Sequence, residues 1–183
     1  MENIIIINNG NKIPAAMFNI EGEMMNVLVK QPDMFKTGES VICLIEKESM
    51  KATVIKKSQY NLYLFIPLIG KDTLSNRRKS VRCPLNLDGE LSNASSLNNK
   101  INVSLVDISL HGLALKSLQA LDITTLYRVE FMLETNMVEC KLKIKNEVQL
   151  EKGFRYGCII DSIEEDKLFY IRKFILQTQL RQI

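Results

Sequence analysis

Four basic residues are concentrated in one short stretch of this sequence. Arg77, Arg78, Lys79 and Arg82 all fall within residues 76–82. A guanidinium group is a planar, permanently charged fork that can bind a phosphate or the outer edge of a guanine, where N7 and O6 both accept hydrogen bonds. The stretch therefore indicates a site for a ligand that carries phosphates, guanines or both.

A second short stretch, residues 107–112, reads Asp-Ile-Ser-Leu-His-Gly. The carboxylate of Asp107 can accept hydrogen bonds from the N1–H and N2–H₂ edge of a guanine or can hold an arginine in place, and the Ser109 hydroxyl can bond a base or a phosphate. Gly112 permits a tight turn and a close approach of the backbone to a ligand. Taken singly, a basic run is usually a solvated face and Asp-x-Ser-x-x-Gly is a common turn, so their pairing matters more than either one.

The two stretches together resemble the signature of the PilZ domain, R-x-x-x-R followed by [D/N]-x-S-x-x-G. Arg78 and Arg82 match the first motif, whereas Asp107, Ser109 and Gly112 match the second. The resemblance implies that the chain binds the second messenger cyclic di-GMP, and an arginine just before the first motif is associated in this family with a stacked pair of ligand molecules. The implied binding residues are Arg77, Arg78, Arg82, Asp107, Ser109 and Gly112.

Composition and charge narrow the class of protein. The chain has 183 residues, of which 46% are hydrophobic and 25% are charged, enough for a buried core without disulfides or metals. A net charge of +3 is too small for a bulk nucleic-acid binder. The apolar run Ile4 to Ile7 is too short for a signal sequence, and no run approaches the length of a membrane span. We therefore expect a cytoplasmic protein that does not bind nucleic acid.

The sequence offers little for metal binding or catalysis. The four cysteines, Cys43, Cys83, Cys140 and Cys158, show no C-x-x-C spacing, and His111 is the single histidine. We interpret the cysteines as reduced thiols, and Arg155 and Lys116 as surface charges that could also serve phosphates. With no nucleophile–base pair and no phosphate-binding glycine loop, we expect neither an enzyme nor a cofactor-dependent protein.

Hydrophobic alternation predicts a chain made mainly of β-strands. We predict four strands in a first domain, residues 1–70, at 25–29, 40–45, 50–55 and 60–66. Residues 1–20 give no clear pattern, although residues 4–7 could form an edge strand or an ordering segment, and the composition of residues 8–11 indicates a turn. Six strands are predicted in a second domain, residues 83–183, at 85–91, 100–106, 112–115, 127–133, 138–145 and 154–160, with a loop at 92–99. Polar residues 71–82 are interpreted as a linker that carries the arginines.

The period changes from that of a strand to that of a helix near residue 162. Ser162 and Glu165 have the spacing of a capping box, and apolar residues follow at helical intervals, so a helix is predicted at about 164–180. The resemblance implies the same outline, a six-stranded PilZ barrel followed by a C-terminal helix. The predicted fold is therefore two small β-barrels in tandem with a helix at the end.

The N-terminal part resembles the β domain that precedes PilZ in flagellar-brake proteins. This resemblance implies a receptor that changes its interdomain arrangement on binding cyclic di-GMP and regulates a partner such as a flagellar motor or stator component. Two alternatives remain open. One is a ligand-independent PilZ-type adaptor, which the presence of Arg78, Arg82 and Asp107 disfavours. The other is a β-barrel RNA binder, which an aromatic content of 7% and the absence of tryptophan disfavour.

Overall fold

The computed structural model describes residues 2–45, 48–67 and 81–181, without the side chains of residues 97 and 98. Within these residues the chain forms two closed, six-stranded antiparallel barrels and a single α-helix near the C-terminus. The predicted fold class is confirmed. Each barrel closes around its own apolar core, so the strands that the structure describes leave no open sheet edge.

The first barrel has the strand order β1-β2-β3-β6-β5-β4. Its elements are β1 (Glu2–Asn8), β2 (Asn11–Glu21), β3 (Met24–Val29), a short 3₁₀ helix (Pro32–Met34), β4 (Ser40–Ile45), β5 (Glu48–Ser58) and β6 (Asn61–Phe65). Alternate residues of the strands point inward. In β1, for example, Ile4 and Ile6 are buried whereas Ile5 is exposed.

The prediction from the sequence was incomplete for residues 1–20. Residues 4–7 belong to β1, which pairs with β2 on one side and β4 on the other, so they do not form an edge strand. Strand β2 was not predicted. It contains Pro14, and its register shifts between Met17 and Asn19, so the regular alternation that identifies a strand is broken along it.

The second barrel has the strand order β10-β11-β12-β9-β8-β7. Its strands are β7 (Cys83–Asn93), β8 (Ser96–Ser109), β9 (Gly112–Ser117), β10 (Leu126–Leu133), β11 (Asn136–Gln149) and β12 (Phe154–Ile163). The predicted loop at 92–99 was wrong over most of its length, because β7 and β8 continue to a turn at residues 94–95. The Asn93 side chain closes that turn by accepting hydrogen bonds from the backbone N–H and the hydroxyl of Ser95.

Helix α1 (Glu165–Arg181) packs on the second barrel, as the helical period predicted. Ile171 and Ile175 lie one turn apart and are buried in the core of this barrel. The predicted capping box was wrong, because Ser162 is still part of β12. The carbonyl of Glu164 accepts the first helical hydrogen bond, from Leu168 N–H at 2.9 Å.

The chain divides into two compact units, Met1–Lys79 and Ser80–Ile183. The predicted linker, residues 71–82, lies outside the described residues except for Val81 and Arg82, so its extent stays a prediction. Val81 packs against the core of the second barrel.

Candidate functional site

Strand register brings the end of the arginine stretch next to the Asp-x-Ser-x-x-Gly stretch. In the antiparallel pair of β7 and β8, Cys83 lies opposite Ile108 and Pro84 lies opposite Asp107. Opposed residues of such a pair have Cα atoms about 4.5–5.5 Å apart. Arg82 directly precedes β7 and is exposed, so its backbone lies at the end of β8 that carries the second motif.

Arg82 is held at this end by its neighbours in the chain. Val81 packs against the apolar core, and Cys83 is buried. With both flanking residues anchored, Arg82 has a fixed backbone and a solvent-exposed side chain. Arg77 and Arg78 lie outside the described residues.

The hairpin between β8 and β9 is closed by two residues of the second motif. Ser109 pairs with Gly112, and its buried hydroxyl donates a hydrogen bond to the Gly112 carbonyl at 3.0 Å. The hydroxyl oxygen still has lone pairs, so it can also accept a bond from a ligand. The structure therefore gives Ser109 a local role that the sequence did not predict.

Gly112 is required by a close approach between strands. A Cβ atom at this position would lie 2.3 Å from the carbonyl oxygen of Cys158, a backbone atom of the neighbouring strand β12. The φ angle of Gly112 is outside the left-handed region that favours glycine. The tight turn that the sequence suggested is therefore not what excludes a side chain at this position. Contact between β9 and β12 excludes it instead.

Asp107 is paired with an arginine from a different strand. Arg155 of β12 donates a hydrogen bond from a terminal guanidinium nitrogen to Oδ2 of Asp107 at 2.8 Å. Strand β9 lies between β8 and β12, so the ion pair crosses it. Ala114 is the register partner of Asp107 on one side and of Gly157 on the other, and this small residue is itself buried. Arg155 is therefore more than an ordinary surface charge, contrary to the interpretation of the sequence.

A groove of 780 Å³ lies beside these residues on the second barrel. Its lining includes Asp88, Ser104 and Lys116 but none of the candidate binding residues that the structure describes. Lys116 lies on β9, the strand that begins with Gly112 of the second motif, so the groove and the second motif are neighbours on this strand. Of the candidate binding residues outside the groove, Arg82 is exposed, Asp107 and Gly112 are half-buried and Ser109 is buried.

Among the described residues, the buried thiols are unreactive and the potential metal ligands do not form a cluster. Burial raises the pKa of the Cys43, Cys140 and Cys158 thiols to about 12, which keeps them protonated and unreactive at neutral pH. No group of three or more histidine, cysteine or acidic side chains in the described part of the chain could hold a metal ion. Nor is any helix of that part long and apolar enough to cross a membrane.

Comparison with known proteins identifies the family. The model of the PilZ domain matches residues 76–177, a range that includes both motifs, all six strands of the second barrel and most of the helix. This chain belongs to the PilZ family. PilZ proteins are effectors that bind cyclic di-GMP rather than enzymes, so this PilZ chain is placed among the cyclic di-GMP receptors.

One solved structure has the fold of this PilZ chain over almost its whole length. MotI/DgrA, an inhibitor of motility from Bacillus subtilis, is 14% identical with a TM-score of 0.52 over 98% of this chain and 97% of that one. YcgR from Escherichia coli in complex with c-di-GMP is 11% identical, with a TM-score of 0.49 over 98% and 84%. MrkH of K. pneumonia in its apo state is 17% identical, with a TM-score of 0.49 over 98% and 88%. No curated protein matches the sequence.

Proposed function

We propose that this PilZ protein is a cytoplasmic receptor that binds cyclic di-GMP through Arg77, Arg78, Arg82, Asp107, Ser109 and Gly112. The observation that carries the proposal is the pairing of β7 with β8, which supports a single site because it sets Arg82 beside the second motif. Arg82 supplies an exposed charge that can bind a phosphate or a guanine edge. Asp107 and Ser109 supply the acceptors.

The ligand connects the two parts of the site. Cyclic di-GMP has two guanines and two phosphates, so arginines that approach from the chain before β7 and acceptors on the barrel can act on it together. The barrel carries the second motif on paired strands, whereas Arg77 and Arg78 precede it in the chain. In this proposal the arginine stretch folds over a ligand that rests against the barrel.

Substitution of the motif arginines tests the proposal. Arg78→Ala and Arg82→Ala should each weaken cyclic di-GMP binding by about 1–3 kcal/mol, about 5- to 150-fold, because each removes a bidentate contact. Isothermal titration calorimetry measures the change, and circular dichroism checks that each variant is folded. Lys79→Ala is the matched control, since it removes a charge from the same stretch but not from the motif. Unchanged affinity in both arginine variants would exclude this site.

The same titration gives the number of ligands bound. We expect two cyclic di-GMP molecules per chain, because Arg77 directly precedes the matched motif. Arg77→Leu should shift the stoichiometry from two towards one. A plateau at one ligand per unsubstituted chain under saturating conditions would contradict this expectation.

We further propose that the receptor regulates a protein partner, with a component of the flagellar motor or stator as the first candidate. The shared fold of MotI/DgrA, an inhibitor of motility, motivates this choice. Swimming speed is measured in cells complemented with the native gene or with the Arg78→Ala/Arg82→Ala double variant while cyclic di-GMP is raised. A response that depends on the two arginines supports the proposal. A response that is the same in both strains favours the ligand-independent adaptor.

A further inference from the structure

One of the two carboxylate oxygens of Asp107 is already bound to Arg155 in this protein. The side chain of Asp107 is 18% exposed and that of Arg155 is 38% exposed, so both charges are partly withdrawn from water. A carboxylate in such a position is stabilised by a charged hydrogen-bond donor, and removing that donor leaves a poorly solvated charge. The ion pair is therefore part of the structure of the site, and it affects how Asp107 can bind a ligand.

The backbones on both sides of the ion pair are fixed. Asp107 lies in β8 between Pro84 of β7 and Ala114 of β9, and Arg155 lies in β12 between Lys116 of β9 and Val148 of β11. Only side-chain torsions remain free at Asp107. The hydrogen bond from Arg155 restricts those torsions, and it thereby favours one orientation of the carboxylate.

The bond from Arg155 goes to Oδ2, and the hydrogen bonds described for Asp107 leave Oδ1 available to a ligand. The free oxygen can accept from N1–H or N2–H₂ of a guanine. An adenine presents an acceptor, its ring N1, where guanine presents the N1–H donor. A correctly oriented Asp107 would therefore favour guanine and oppose adenine.

We propose that Arg155 is a positioning residue that sets the guanine preference of the cyclic di-GMP site by orienting Asp107. It also balances the negative charge of Asp107, which would otherwise repel the two phosphates of the ligand. This inference rests on the proposed function, since it assigns Asp107 to the base. It adds a residue outside both motifs, supplied by the last strand of the barrel.

The test compares two substitutions that remove the same charge from neighbouring positions. Arg155→Gln removes the hydrogen-bond donor to Asp107. Lys116 is the register partner of Arg155, so Lys116→Gln removes a neighbouring positive charge and leaves the ion pair intact. Affinities for cyclic di-GMP and cyclic di-AMP are measured by competition against a fluorescent cyclic di-GMP analogue. Arg155→Gln should weaken cyclic di-GMP binding by about tenfold and narrow the difference between the two nucleotides. Lys116→Gln should leave that difference as it is.

A double-mutant cycle separates positioning from bulk charge. Once Asp107→Asn has removed the carboxylate, Arg155→Gln should have little further effect, because Arg155 acts through Asp107. Losses that add in full would overturn the proposal, as would an Arg155→Gln variant with unchanged affinity and unchanged preference. If Arg155→Gln does not fold by circular dichroism, Arg155→Lys is used, for which an intermediate loss of preference is expected and an unaltered preference overturns the inference.

The arginine variants of the first motif distinguish a failure of the proposed binding site from a failure of the positioning role of Arg155. If Arg78→Ala and Arg82→Ala also bind cyclic di-GMP normally, the proposed site itself is wrong. If they lose binding while Arg155→Gln retains both affinity and preference, only the positioning role is wrong.

Discussion

Gly112 and Cys158 come from strands that are adjacent in the barrel but far apart in the chain, and their contact leaves no room for a side chain. Gly112→Ala would place a Cβ atom 2.3 Å from a backbone oxygen, so β9 and β12 must separate. We expect the free energy of unfolding to fall by about 1–3 kcal/mol, the range for an overpacked site. Urea denaturation followed by circular dichroism measures it.

The neighbouring His111 provides a control for Gly112→Ala. His111 is exposed, and its backbone carbonyl accepts a hydrogen bond from Ile160 N–H at 2.9 Å, which a substitution of the side chain preserves. His111→Ala should therefore change stability by less than about 0.5 kcal/mol. Equal effects of the two substitutions would contradict the close-approach argument.

At the scale of elements, two tyrosines fix the connection between β9 and β10. The hydroxyl of fully buried Tyr156 accepts a hydrogen bond from Leu121 N–H at 2.9 Å, and the hydroxyl of Tyr127 accepts one from Asp122 N–H at 2.9 Å. Asp122 in turn accepts hydrogen bonds from Thr124, which lower the pKa of its carboxyl group. The connection is thus tied to the barrel at consecutive residues.

Replacing each tyrosine by phenylalanine tests these two ties separately. Tyr156→Phe leaves the N–H of Leu121, a buried residue, without a partner, so a loss of about 1–3 kcal/mol in stability is expected. Tyr127→Phe should have a smaller effect, because Asp122 is exposed and water can replace the lost acceptor. Thermal unfolding of the two variants measures the order. A larger loss of stability in Tyr127→Phe than in Tyr156→Phe would show that the hydrogen bond of buried Tyr156 is not the main tie of this connection.

At the scale of the whole molecule, we predict that the ligand acts as a clamp between the two domains. The arginine stretch precedes the second barrel and follows the first, so a ligand bound to both motifs would restrict the N-terminal domain. A ligand can stabilise only a state that it contacts better than the alternatives. The surface presented to a partner would then depend on cyclic di-GMP.

Hydrogen exchange decides between a clamp and a site that merely holds the ligand. On adding cyclic di-GMP, protection of the backbone amides should rise across residues 71–82 as well as at 107–112. The radius of gyration measured by small-angle scattering should also change. The Arg78→Ala/Arg82→Ala double variant should show neither change. Protection confined to 107–112 with a constant radius would rule the clamp out.

The sequence alone determined the features that depend on local patterns. Strand β11 was predicted from the alternation of Val138, Cys140, Leu142 and Ile144 with charged residues, because a strand has a period of two. Helix α1 was predicted from a change of period. The family was predicted from two motifs whose residue types and spacing are unusual together.

Tertiary structure decided everything that depends on which strands become neighbours. The pairing of β1 with β4, the continuation of β12 through Ser162 and the contact of Gly112 with Cys158 are absent from any local pattern. The bond between Asp107 and Arg155 joins residues 48 positions apart in the chain. Nothing in the spacing of these two residues signals it, because closure of the barrel sets β8, β9 and β12 side by side and only that order brings the two charges together.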